Sequence, residues 1–260
     1  MLEVRELRAG YGDVEVLHGI DLVVPTGRTV ALLGSNGAGK TTLLASIAGL
    51  LPARAGTITL DGRQVTRRSA HRRTRAGICL LPEGRGIFRQ LTVRQNIAMF
   101  VGGRDVDEAL ERAGALFPKL TQRARQVAGT LSGGEQQMLS VTRAIITDAP
   151  VVLADELSVG LAPKVVDEIF EVVDQLRSEG RSLLIVEQYA DRALAVADYV
   201  YLLAKGQIAF VGEPAQLAND ELFHRYLGQA SGHVDEMATV GVNADRTRRR
   251  PLRGDGRRAG

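Results

Sequence analysis

The chain has 260 residues, 45% of them hydrophobic and 24% charged, a size and composition that fit an ordinary globular protein able to bury a substantial core. Its formal charge of +3 is unevenly placed: seven Arg against two Asp from Asn243 onward leave residues 1–242 at −2, which argues against a body built as a nucleic-acid-binding surface. The longest apolar runs fall far short of the roughly 18–20 residues of a membrane-spanning helix, a single Cys79 excludes an internal disulfide, and four scattered His lack metal-ligand spacing.

In chain order, residues 2–8, 14–17, 20–24, 56–60 and 208–211 read as short strands with turns, and predict an added antiparallel layer. From residue 29 to about 203, apolar runs at 29–33, 78–81, 151–155, 182–187 and 199–203 alternate with helical patterns at 40–50, 107–117, 134–146, 163–179 and 190–197. That alternation predicts a mostly parallel sheet covered by helices, an α/β class. Residues 84–125 read as helical and interrupt the two halves of the parallel core, so a helical subdomain of about 84–140 is expected within a domain of 1–230. Residues 231–260 lose periodicity and are expected to be a disordered Arg-rich tail. Residues 67–75 are read as a solvated, basic helix face. The N-terminus has no apolar leader core and alternates like a strand, so the expected location is cytosolic.

The first chemical motif is Gly34-Ser35-Asn36-Gly37-Ala38-Gly39-Lys40-Thr41-Thr42, which fits G-x-x-x-x-G-K-[ST]. Glycines let the backbone turn its N–H groups toward an anion, and the following helix N-terminus adds partial positive charge. Lys40 is expected to reach the β- and γ-phosphates of ATP, Thr41 to bind Mg²⁺, and Thr42 to donate to the α-phosphate. A Gly-rich strand–helix turn with an incidental lysine is the plainer alternative, and the flanking strand and helix count against it.

The second motif is an apolar strand ending in two acids, Asp155 and Glu156. Asp155 is expected to hold Mg²⁺ beside Thr41, and Glu156 to orient or deprotonate an attacking water. Taken alone, the pair could equally cap a helix. The third motif, Ser132-Gly133-Gly134-Glu135, opens a helix and offers a second anion-binding N-terminus. A site already served by residues 34–42 gives it no use within one subunit. A head-to-tail pair of subunits does, with Ser132, Gly133 and Gly134 capping the γ-phosphate held by the partner. A simple Ser N-cap followed by Glu is the alternative.

With these motifs in place, residues 1–228 resemble the ABC ATPases, and within them the ATP-binding subunits of branched-chain amino-acid importers of the LivF type. The resemblance rests on Pro82-Glu83-Gly84-Arg85-Gly86-Ile87-Phe88, on residues 131–138, on residues 158–163 and on Val186-Glu187-Gln188. It implies a P-loop NTPase (RecA-like) core and an ATPase at the cytoplasmic face of the cell membrane. The implied partners are permease subunits, a second ATPase subunit and an extracytoplasmic substrate-binding protein, with no nucleic acid. It further implies that Tyr11 stacks on adenine, that Glu83 senses Mg²⁺ while touching the membrane subunit, that residues 158–163 couple two sites across a dimer, and that Gln188 contacts the γ-phosphate. Gln188 stands where most relatives have His, and Leu157 where most have Pro. A urea, amide or other amino-acid importer, a soluble ABC ATPase acting on ribosomes or DNA, and a small P-loop kinase are the competing readings. The last gives Ser132-Gly133-Gly134 no purpose.

Overall fold

The computed structural model describes residues 1–187 and 190–218. A six-stranded sheet contains β3 (Thr29–Leu33), β6 (Ile78–Leu81), β7 (Val151–Asp155), β8 (Ser182–Val186), β9 (Tyr199–Ala204) and β10 (Gln207–Gly212). Its order is β10-β9-β3-β8-β7-β6, parallel except for β10, which runs antiparallel to β9. A four-stranded antiparallel sheet contains β1 (Leu2–Tyr11), β2 (Val14–Val24), β4 (Ala55–Leu60) and β5 (Arg63–Gln64), in the order β2-β1-β4-β5.

The helices are α1 (Lys40–Ala48), α2 (Ala70–Arg75), α3 (Val93–Val101), α4 (Val106–Leu116), α5 (Pro118–Gln122), α6 (Gly133–Ile146), α7 (Pro163–Ser178), α8 (Ala190–Val196) and α9 (Pro214–Ala218). Four of them, α3 to α6, lie between β6 and β7 in the chain. None of the described helices is long and apolar enough to cross a membrane.

Strands β3, β7 and β8 are buried at every position, as expected where helices or sheets cover both faces of a parallel sheet. The period-2 alternation of a strand divides their side chains between two cores. Val152, Ala154, Leu183 and Ile185 face the core built with α3 to α7. Val151, Leu153, Leu184 and Val186 face the core shared by α1 and the antiparallel sheet. Cys79 lies in the first of these cores, where burial pushes its thiol up to about 11. It behaves as the small buried hydrophobe its apolar run suggests.

Several element assignments differ from the sequence reading. Residues 208–211 belong to β10 on the edge of the parallel sheet, not to the antiparallel layer. The two short strands expected at 14–17 and 20–24 are one strand, β2, which continues through a bulge at Gly19 (φ 83°). The helix expected over 40–50 stops at Ala48 because Gly49 (φ 80°) caps it in the left-handed region.

The basic stretch 67–75 is not wholly solvated, because Arg73 is 2% exposed. Its guanidinium donates to Ser46 O (2.7 Å) and Ile47 O (2.8 Å) at the end of α1, and to Thr66 O (2.6 Å) and Arg68 O (3.0 Å). Carbonyls left over at a helix end need such donors. A Cβ on residue 49 would sit 2.8 Å from Arg73 Nε, so Gly49 and Arg73 fit as a pair.

Parallel pairing brings the carboxyl ends of β3, β6, β7 and β8 to one edge of the sheet. Residue 34, the Pro82-Glu83 turn, the Asp155-Glu156 pair and Glu187 all leave the sheet there. In open α/β sheets this edge is where ligands bind.

Candidate functional site

The loop after β3 turns through left-handed glycines: φ is 155° at Gly34, 80° at Gly37 and 110° at Gly39. At Gly34 a side chain is excluded outright, since its Cβ would lie 2.3 Å from Leu203 O. Gly39 caps α1 and brings no side-chain acceptor of its own to the helix N-terminus. A backbone cradle of this shape suits an anion.

Lys40 is buried, and its ammonium donates to Gly34 O (2.8 Å) and Ser35 O (3.2 Å). Burial holds it below the ordinary lysine range, an effect partly offset by the carboxylates of Glu156, Asp155 and Glu83. Asn36, Gly37, Gly39, Lys40, Thr41, Thr42, Glu83 and Glu156 line one groove of about 420 Å³, with Val16 at its wall. The structure thus gathers three chain segments that lie far apart in sequence. Val16 has no polar signature, and its apolar side chain gave no sequence-level cue to this position.

Asp155 is 2% exposed, and its Oδ1 is buried without a hydrogen-bond partner. Burial raises its pKa to about 6, helped by Glu156 and Glu83, while the Thr41 hydroxyl and Lys40 pull the other way. An unpartnered carboxylate oxygen beside a threonine hydroxyl is a donor set suited to a hard divalent cation such as Mg²⁺. Among the described residues no group of three or more His, Cys, Asp and Glu gathers around one point.

The raised pKa makes a stability prediction. Below about pH 4 the group is protonated in folded and unfolded chains alike and costs nothing. Between about 4 and about 6 the unfolded chain gives up its proton first, so stability falls as pH rises, and above 6 the full cost is present. Asp155→Asn should therefore stabilise the nucleotide-free chain in chelator at pH 8, by on the order of 2 kcal/mol, and leave it nearly unchanged at pH 4. Urea unfolding at the two pH values checks this; equal effects at both would contradict it.

Glu156 follows the strand in the left-handed region (φ 49°), with its N–H donating to Val186 O at 2.8 Å. Glu83 lies on an exposed turn whose next three residues, Gly84, Arg85 and Gly86, all have positive φ. Tyr11 is 54% exposed at the end of β1 and is not among the groove-lining residues.

Ser132 is the N-cap of α6: its Oγ accepts from Glu135 N (3.3 Å), while Glu135 Oε2 accepts from Ser132 N (3.0 Å). The plain capping reading is therefore satisfied in the structure. Ser132, Gly133 and Gly134 do not line the groove that holds Lys40, so an anion-binding use for them needs a second molecule. Arg85 ties the Glu83 turn to the same helix through Gln136 Oε1 at 2.6 Å. Leu157, the departure from Pro, is 2% exposed in the core. Gln188 and the tail from 231 onward lie outside the described residues, as do His224 and His233.

Glu187 is a buried acid that the motifs did not single out. The available signal was its position, an acid directly after an apolar strand, as Asp155 and Glu156 follow theirs.

Comparison with known proteins adds to this geometry. The family model for ABC transporters matches residues 17–159. The chain is 40% identical to the high-affinity branched-chain amino acid transport ATP-binding protein BraG of Pseudomonas aeruginosa, over 88% of this chain and 100% of that protein. It is 37% identical to the probable branched-chain amino acid transport ATP-binding protein LivF of Archaeoglobus fulgidus, over 86% and 97%. The lipopolysaccharide export system ATP-binding protein LptB of Escherichia coli is 32% identical, over 88% and 97%. Among solved structures, an ATP-binding cassette of an ABC transporter in its ADP conformation superposes with a TM-score of 0.74 at 25% identity, over 88% and 98%. With a phosphate-type loop, paired acids at the end of another strand of the same sheet and these matches together, the chain belongs to the ABC transporter family as an ATP-binding, ATP-hydrolysing subunit.

Proposed function

We propose that this chain powers an importer of branched-chain amino acids from the cytoplasmic face of the membrane. The observation that carries the cargo class is the 40% identity spanning the whole of BraG, against 32% for the lipopolysaccharide exporter subunit. One ATPase fold serves both of those proteins, so cargo is chosen by other subunits: permeases and an extracytoplasmic binding protein. A second ATPase subunit, identical or not, completes each nucleotide site. The unit acting here is an ABC ATPase domain of 1–230 with a helical subdomain of about 84–140, followed by the Arg-rich tail.

Within the site, the cradle of Gly34, Ser35, Asn36, Gly37, Ala38 and Gly39 wraps the ATP phosphates. Lys40 exchanges the Gly34 and Ser35 carbonyls for β- and γ-phosphate oxygens, which better match its charge. Thr41 and Asp155, with Glu83 on the same groove, would hold Mg²⁺, which would supply charge to neutralise the phosphates. Thr42 donates to the α-phosphate, and the exposed ring of Tyr11 stacks on adenine. Glu156 orients the attacking water and takes its proton as the terminal phosphate departs, leaving ADP and phosphate. Ser132, Gly133 and Gly134 of the second subunit present a helix N-terminus to the γ-phosphate. Gln188 donates to that phosphate as a neutral amide, which cannot carry charge. Glu156 therefore bears most of the chemistry.

Uptake by a strain lacking this gene tests the cargo. Labelled leucine, isoleucine and valine uptake should fall by about tenfold or more and return with the wild-type gene. Normal uptake of all three alongside lost urea or other amino-acid uptake would reassign the cargo. Unaltered uptake throughout, with the chain co-purifying with ribosomes, would overturn the transporter role.

A further inference from the structure

Glu187, the residue immediately after β8, is 3% exposed. A buried carboxylate is costly unless paired, and the groups acting on this one are a hydroxyl and backbone N–H donors, together with the like charge of Glu156. Burial accordingly drives its pKa upward. Its Oε1 is buried with no hydrogen-bond partner at all. A group carried at that cost is explained by what it orients rather than by stability.

What it orients is a single turn. Oε2 accepts the Ser158 hydroxyl at 2.5 Å, and the backbone N–H groups of Leu157 and Ser158 act favourably on the carboxylate's charge. One residue upstream, Val186 O accepts the N–H of Glu156 at 2.8 Å. Two consecutive residues at the end of β8 thus hold Glu156 and Ser158, on either side of Leu157, just past the end of β7. The held segment includes Glu156 in the left-handed region at φ 49°, a conformation that a non-glycine residue keeps only when its surroundings impose it.

We propose that Glu187 is a positioning residue for Glu156: its buried carboxylate gathers the turn of residues 156–158 and sets the direction from which Glu156 meets the attacking water. It does not line the groove and acts through the turn alone. The inference rests on Glu156 being the water-orienting group. It also gives Ser158, 2% exposed, a defined use as the hydroxyl that fastens the turn to the neighbouring strand.

The test uses the full chain carrying Glu187→Gln, Ser158→Ala or both, with steady-state kinetics and a fluorescent ATP analogue to count competent sites. The amide keeps the size of the carboxylate and one acceptor oxygen but removes the charge that strengthens the bond from Ser158. Glu187→Gln should lower kcat per site roughly 10- to 100-fold, with KM for ATP within about twofold. Ser158→Ala should lower kcat less, and the double variant should match Glu187→Gln alone, since both act through one bond. A kcat per site within about twofold of wild type in Glu187→Gln overturns the proposal. So does a loss of competent sites with kcat per remaining site unchanged, the mark of a merely structural role. Glu156→Gln measured in parallel separates the two layers. If it hydrolyses ATP normally, the role of Glu156 itself is wrong; if it is inactive while Glu187→Gln is normal, only the role of Glu187 is.

Discussion

Glu156→Gln is expected to abolish ATP hydrolysis while leaving ATP binding intact. The substitution keeps shape and hydrogen-bonding reach but removes the charge and basicity needed to draw a proton from water. Loss of a positioned general base costs roughly 100- to 10,000-fold, and the proposed site gives Glu83, the other acid lining the groove, to the Mg²⁺ side. Asp155 is 2% exposed and committed to the Thr41 side of the site, and residue 188 is a neutral Gln. Because Glu156 lines the groove without making the cradle, nucleotide affinity should stay within a few fold. Phosphate release under saturating ATP reads the first half and nucleotide titration the second. Hydrolysis near the wild-type rate would show that another group orients the water.

Lys40→Ala is expected to fail one step earlier, at nucleotide binding. The ammonium already lies inside the loop, held by Gly34 O and Ser35 O, and a phosphate replaces neutral acceptors with charged ones. Two charge-assisted hydrogen bonds contribute about 3–4 kcal/mol together, so the dissociation constant should rise by roughly 100- to 1,000-fold. The desolvation that holds Lys40 below its ordinary range works in the same direction, because a half-desolvated cation gains more from an anion. Titration with a fluorescent ATP analogue checks this. Unchanged affinity, with a normal melting profile, would contradict the role given to Lys40.

The parallel core is legible in the sequence because strands buried on both faces read as continuous apolar runs, as at residues 29–33 and 151–155. The cradle is legible because its glycine spacing has few other uses, and the paired acids, ambiguous alone, become legible beside it. Other features depend on partners far away in the chain. Arg73 reads as one more exposed arginine until the end of α1 is seen to lie against it. Strand β10 resembles the antiparallel strands in composition, and only its pairing with β9 places it on the other sheet. Glu187 sits in a recognisable segment, yet its burial against Ser158 depends on β7 and β8 being neighbours. Val16 is invisible for the opposite reason, since a wall needs no distinctive chemistry. Bounds drift where a cap decides them, as Gly49 does for α1.

The sharpest measurement of how this subunit works is sedimentation velocity of the Glu156→Gln chain, alone and mixed with the transporter's second ATPase subunit, with and without Mg²⁺-ATP. Ser132, Gly133 and Gly134 lie outside their own subunit's groove, so ATP trapped without hydrolysis should draw two subunits into a stable dimer that disperses when the nucleotide is removed. Monomers in every mixture at saturating ATP would contradict ATP-driven closure as the source of power.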